Sequence, residues 1–257
     1  MSQAQRDEIV HQLKTAILYL AAITAAELIV SLVHPLWGIL FHVFILMGLI
    51  YHSSISPTSP AHRLYIALAL APLIRIFSLS LPLVNFPQIY WYAIVAVPVF
   101  VSVFIVMRKL SLRPAEIGIR AGRVWYQLLI GLSGIPFGIA EYYILRPPQP
   151  LSPPGWTGII LGVLILMIGT GFAEEWIFRG VLQKLAGEAL GKWGWIYVAV
   201  LFAALHIGYL LVTDLLFVLA VGLFFGWIVK RTRSLLGTTL AHGLANIFLY
   251  IVIPLLV

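Results

Sequence analysis

Apolar runs of membrane-span length, separated by short breaks of proline, glycine and charge, follow one another along almost the whole chain. With those breaks as punctuation, the pattern predicts nine candidate helices at 14–33, 36–52, 63–84, 88–107, 125–145, 156–187, 193–210, 213–230 and 235–256. A bilayer core asks for about 20 apolar residues per helix, so the sixth run is longer than it needs to be and must tilt, kink or protrude. The second, seventh and eighth are short enough to be partial or to merge. The expected fold is all-α: a polytopic transmembrane bundle of about 8–9 spans.

The distribution of lysine and arginine gives that bundle a direction, because cytoplasmic loops carry the excess of cations. With the N-terminus placed in the cytoplasm, only Arg146 of the 16 cations falls outside, while Arg75 and Arg179 remain within spans. The polar start, Met1 to Lys14, lacks a small-residue cleavage site after its apolar run and reads as part of a retained first helix. Between spans four and five, Leu110 to Val124 mixes Arg113, Glu116, Arg120 and Arg123 with Leu112, Ile117 and Ile119, a pattern expected of a short interfacial helix. It divides the N-terminal helices, 1–124, from a C-terminal portion, 125–257, within a single integral membrane domain.

Composition agrees and narrows the chemistry. Hydrophobic residues make up 61% and charged residues 10% of the 257, with a mean hydropathy of +1.03, far outside the range of a soluble domain. There is no cysteine, so disulfides, thiolate metal sites and a cysteine nucleophile are excluded. The net charge of +7 lies in short loops as a topology signal, without a basic patch interleaved with aromatics, and nucleic acid is not an expected partner.

Against this background, ionisable residues inside the spans stand out, since each would cost roughly 2.5–3.5 kcal/mol at a bilayer centre. Glu174, Glu175 and Arg179 share the sixth span. Glu175 and Arg179 are at i and i+4 and can pair on one face, whereas Glu174 is turned about 100° away and keeps an uncommitted carboxylate. His206 lies in the seventh span with Phe202 one turn before it on the same face. His242 and Asn246 again stand at i and i+4, a pair of donors able to grip a developing oxyanion or to interlock helices. On the span map Glu174, His206 and His242 are about 13, 13 and 7 residues from the cytoplasmic ends, or roughly 10–20 Å at 1.5 Å per residue. They share the cytoplasmic half of the membrane, and together they fit a water-activating hydrolase.

These three motifs, Glu174-Glu175-x-x-x-Arg179, Phe202-x-x-x-His206 and His242-x-x-x-Asn246, resemble in order the signatures of the CPBP intramembrane proteases, which include type II CAAX prenyl endopeptidases, Rce1-like enzymes and bacterial Abi proteins. The resemblance covers roughly residues 155–250, and all three motifs are intact. It implies a glutamic-type intramembrane endopeptidase: Glu174 with His206 activates water, His242 with Asn246 stabilises the oxyanion, and Glu175, Arg179 and Phe202 support them. The implied partners are the bilayer and a membrane-tethered or lipid-modified peptide, with the active site toward the cytoplasmic side of an integral multi-pass protein. The oligomeric state is left open.

Two His and a Glu can also form a zinc site, so Glu174, His206 and His242 are the ligand set if a metal binds. The His-Glu-x-x-His helix of other membrane zinc proteases is absent, and the favoured expectation is a mechanism without a cofactor. Two further readings use other residues. Gly131-Leu-Ser133-Gly134 has the form of a rhomboid serine nucleophile site, although glycine and serine also serve helix packing. A transporter, or a non-catalytic protein that binds a membrane peptide, would use the buried charges as a path, with Glu27 and Arg75 as an added polar pair. Presenilin-type chemistry fails, because Asp7 and Asp214 are the only aspartates and neither is at a span centre. Glu141 is expected at the outer interface, and Gly222-x-x-x-Gly226 offers a close-packing surface within the chain or between copies.

Overall fold

A computed structural model describes residues 3–55, 60–80 and 87–257. The end of the third predicted span, 81–84, lies outside the described residues. The elements in chain order are helices α1 (Gln3–Leu32), α2 (Pro35–Ile55), α3 (Pro60–Leu68), α4 (Leu70–Ser80), α5 (Gln88–Lys109), α6 (Val124–Leu132) and α7 (Gly134–Leu145). They are followed by α8 (Trp156–Ile165), α9 (Ala173–Glu175), α10 (Gln183–Leu190), α11 (Gly194–Ala204), α12 (Val212–Thr232), α13 (Leu236–Ile247) and α14 (Ile253–Leu256). Among the described residues eight helical runs are long and apolar enough to cross a membrane, and no strand is present. The chain is an all-helical, multi-pass integral membrane protein.

The sixth and seventh predicted spans form one helical run, Trp156–Tyr209, of 54 residues. That is more than twice what a bilayer requires, and Gly191, at a φ of +59°, reverses it between α10 and α11. Two other breaks trace to proline. Pro72 and Pro136 lack the N–H that would reach the carbonyls of Leu68 and Leu132, and there α3 gives way to α4 and α6 to α7.

The expected interfacial helix from Leu110 to Val124 is not formed. A single 3₁₀ turn, Pro114–Ile117, stands in its place, opened by the Glu116 carboxylate accepting the Arg113 N–H at 2.7 Å. Gly118 and Gly122, at φ of +86° and +62°, turn the chain into the left-handed region and stop any longer helix. Arg120 then donates to the carbonyl of Arg233 at 2.7 Å and ties this loop to the one after α12.

Helix α13 is the axis of the C-terminal portion, packed against α6, α7 and the helical stretch before Glu174. Small residues allow the approach: a Cβ on Gly134 would lie 2.0 Å from the Ala241 carbonyl oxygen, and one on Gly138 2.3 Å from that of Ala245. Ser133, just before these glycines, donates its hydroxyl to the Ile130 carbonyl at 2.6 Å. Gln127 reaches across to accept the N–H of Gly237 at 2.8 Å, satisfying one of the donors that the start of α13 leaves unpaired. Gly222 and Gly226 face Ala199 and Trp195 of α11, so that close-packing surface serves the chain itself.

The N-terminal helices pack on α10 and α11, where the Tyr197 hydroxyl donates to the Ala16 carbonyl at 3.0 Å. Within them Glu27 of α1 is fully buried between His42 of α2 at 3.0 Å and Arg75 of α4 at 2.5 Å. The anticipated Glu27–Arg75 pair exists and has a third member.

Candidate active site

Helix α8 continues unbroken to α10, but two stretches of it, Leu166–Phe172 and Trp176–Leu182, are wound as π-helix on either side of α9. Such wide turns are rare and concentrate at functional sites. Here they bracket Glu174 and Glu175, and glycines on this segment let α13 come close. A Cβ on Gly171 would lie 2.8 Å from the Cα of Gly243.

The two glutamates then divide as their positions on the helix require. Glu175 is completely buried, 3.4 Å from Arg179 and 3.1 Å from Nδ1 of His242. Glu174 is 30% exposed into a cavity, with its carboxylate 3.7 Å from Nε2 of His242 and no hydrogen bond of its own among the described residues. Arg179 is buried too, its guanidinium 4.1 Å from the centre of the Phe202 ring, a cation–π contact in a desolvated setting. Phe202 also neighbours His206, at a ring distance of 4.7 Å.

Hydrogen bonding assigns a tautomer to each imidazole. Nδ1 of His206 is 2.9 Å from the Phe202 carbonyl, which can only accept, so Nδ1 carries the proton and Nε2 of the neutral ring offers a lone pair. Nδ1 of His242 likewise donates to Glu175, so its Nε2 donates only in the imidazolium form. Two carboxylates and one guanidinium share this cluster, and a proton on His242 brings it to neutrality. Asn246 Nδ2 donates to the Thr170 hydroxyl at 2.8 Å, and that hydroxyl in turn donates a hydrogen bond to the Leu166 carbonyl at 2.5 Å. One amide hydrogen of Asn246 is thereby fixed and the second is left over.

Glu174, His206, His242 and Asn246 line one cavity of about 100 Å³. A water molecule needs about 10–15 Å³ by this measure, so several fit. Thr170 and Glu141 line it as well. Thr170 stands four residues before Glu174 on the same helix, a spacing that sequence reading can exploit. Glu141, expected at the interface, has no sequence feature that turns it inward; the break at Ser133 and the close packing of α7 on α13 do so.

The cavity extends toward Tyr209 and Tyr250, whose hydroxyls are 2.8 Å apart, and the main-chain carbonyl of Tyr250 accepts the N–H of Leu151 from the proline-rich loop. That end is opposite the loops carrying Lys192 and Arg231. Toward the basic loops the site is closed by Phe178, Phe202 and Phe225, all buried.

A zinc ion would need donors converging at about 2.0–2.2 Å. Among the described residues no three His, Asp or Glu side chains are grouped to hold a metal. Ser133 does not line the cavity.

No curated protein and no solved structure matches the chain. A family model does: residues 154–248 match the one described as type II CAAX prenyl endopeptidase Rce1-like. The match takes in Glu174, Glu175, Arg179, Phe202, His206, His242 and Asn246, and leaves Arg75, Tyr92, Glu141 and Tyr250 outside it. Residues 154–248 of this multi-pass membrane protein are thus similar to the Rce1-like type II CAAX prenyl endopeptidases.

Proposed function

We propose that the chain is an intramembrane endopeptidase of glutamic type, acting on a membrane-tethered or lipid-modified peptide. The observation that carries this reading is the meeting of Glu174, His206, His242 and Asn246 around one small cavity inside an apolar bundle. A water held between the Glu174 carboxylate and the His206 Nε2 lone pair attacks the scissile carbonyl carbon as Glu174 takes its proton. The carbonyl oxygen becomes an oxyanion that accepts from the free amide hydrogen of Asn246 and from Nε2–H of a protonated His242. When the C–N bond breaks, Glu174 returns the proton to the leaving amine. Glu175 and Arg179 hold His242, and Phe202 packs between Arg179 and His206. No step is routed through a metal.

The reading is tested by incubating purified protein in lipid nanodiscs with prenylated and unprenylated peptides ending in cysteine and three apolar residues, and with single-span membrane peptides. Products are identified by mass. Cleavage of none of these at any protein concentration would sink it.

Ser133→Ala is expected to keep full activity, because its hydroxyl serves its own helix, and to lose at most about 1 kcal/mol of stability. An inactive but folded Ser133→Ala protein would favour the serine-protease reading.

With the N-terminus and basic loops in the cytoplasm, the cavity is reached from the opposite face of the membrane. A chain without cysteine makes this direct to check. Leu210→Cys, in the exposed turn beside Tyr209, should react with an impermeant maleimide on intact cells, and Arg231→Cys only after permeabilisation. The reverse pattern would invert the topology.

A further inference from the structure

On the face that carries the basic loops, a cavity of about 430 Å³ lies between the 110–124 loop, α10, the turn at Gly191 and the end of α12. Its size is that of a small-ligand pocket, for which about 300–1,000 Å³ is usual. Arg120, Arg179, Lys184, Lys230 and Arg233 line it, against the single carboxylate of Glu116. These cations come from three separated stretches of sequence, which is why no run of the chain reads as a basic patch; the fold gathers them.

Two of the charges are answered within the protein. Lys184 pairs with Glu188 at 2.8 Å, and Arg179 is held by Glu175 at 3.4 Å. Glu116 is occupied as well, its carboxylate accepting the Arg113 N–H. Arg120, Lys230 and Arg233 have no carboxylate partner among the described residues. Arg120 uses two of its five donors on the carbonyls of Arg233 and Thr232, which fixes the guanidinium and leaves three donors open. At the inner end Arg179 is only 2% exposed, yet neither Nη1 nor Nη2 makes a hydrogen bond among the described residues. Leaving buried donors unsatisfied is costly, and an acceptor entering from the cavity would satisfy them.

The setting narrows the acceptor. At this end of the bundle Lys192 stacks on Trp193, Lys230 on Trp195 and Arg231 on Trp227, at 5.3, 5.6 and 5.9 Å. Tryptophans gather at the headgroup level of a bilayer, and basic pockets between spans at that level suit phosphorylated headgroups. Several convergent cationic donors match the multiple oxygens and the charge of a phosphate.

We propose that this cavity is a phosphate-binding site, filled by the headgroup of an anionic phospholipid or by a small phosphorylated solute. It is separate from the hydrolytic cavity and does not depend on the endopeptidase reading. Arg179, shared with the Glu175–His242 cluster, is the one residue that connects the two.

The test measures binding of two probes. Short-chain phosphatidylglycerol is followed by native mass spectrometry in neutral detergent, with zwitterionic phosphatidylcholine as its comparison. Inorganic phosphate is titrated calorimetrically into protein in phosphatidylcholine nanodiscs at constant ionic strength, with chloride as its comparison. Lys230→Gln/Arg233→Gly removes two open cations from the cavity, and glycine suits the φ of +53° at position 233, so the fold should survive. Arg108→Gln/Lys109→Gln removes as much charge from the end of α5, outside the cavity.

Wild type should prefer at least one probe over its comparison. The cavity variant should bind that probe at least about tenfold more weakly, the worth of one charge-assisted hydrogen bond, and the α5 variant within about twofold of wild type, because exposed charges at a distance are screened. Should the double cavity variant fail to fold, Arg233→Gly alone should weaken binding at least about threefold. Selective binding of phosphatidylglycerol alone identifies a lipid as the source, of inorganic phosphate alone a solute, and of both the phosphate group itself as what is recognised. No preference for either probe, a preference that survives in the cavity variant, or equal weakening in the two double variants overturns the proposal.

Discussion

Glu174→Gln is expected to abolish peptide cleavage, with a loss of at least the 10²- to 10⁴-fold that a positioned general base typically contributes. Glutamine keeps the shape and a hydrogen-bonding carbonyl but cannot take the proton of water. Because Glu174 is part-exposed and makes no hydrogen bond among the described residues, the substitution should leave the melting temperature in detergent nearly unchanged. Glu175→Gln provides the contrast. That carboxylate is buried between Arg179 and His242, and breaking a buried pair by removing one partner costs about 3–5 kcal/mol, so this variant should lose stability along with activity. The two measurements needed are initial rates on a cleavable peptide and thermal melts of the same preparations. A Glu174→Gln protein that cleaves at the wild-type rate would remove the water-activating role.

Gly171→Ala is the second large effect. The added methyl would sit 2.8 Å from both Cα and N of Gly243. These are backbone atoms that cannot rotate aside, so α13 must move away. Overpacking of this kind costs about 1–3 kcal/mol, and here the displaced helix carries His242 and Asn246. A shift of about 1 Å in catalytic groups can lower a rate 10²-fold. Activity should therefore fall far more than stability does. Gly187→Ala is the control: nothing lies within 4 Å of its new methyl on α10, and alanine is favoured over glycine in a helix by about 0.8–1 kcal/mol. It should melt at the same temperature or higher and keep its activity. A Gly171→Ala enzyme with normal rates would show that the glycine contact does not set the geometry of the site.

Much of this site was legible in the sequence because the bilayer makes polar residues conspicuous. Glu174, Glu175, Arg179, His206, His242 and Asn246 are isolated in apolar runs, and helical spacing alone separated the buried, paired Glu175 from the part-exposed Glu174. The eight-to-nine-span bundle followed from hydropathy for the same reason. What the pattern did not reveal depends on backbone geometry that hydropathy does not encode. Leu110–Val124 has the alternation of an interfacial helix, yet Gly118 and Gly122 adopt left-handed φ and prevent one. Glu141 looked like an interface residue until α7 was set against α13. Thr170 and Arg75 needed partners from distant segments, Asn246 and Glu27, before their orientation had meaning.

The π winding on both sides of Glu174 carries a consequence for how this segment tolerates change in length. A wide turn accommodates one residue more than the α ladder would, so deleting a single residue between Leu166 and Phe172 would let the helix relax into its preferred form. Because the wide turn already takes up the extra residue, the helix on either side would keep its facing and the Glu174 carboxylate would stay aimed at its cavity, whereas a deletion in a regular α stretch would rotate everything beyond it by about 100°. Irregularity here makes one residue of length expendable in a helix that could not otherwise spare any.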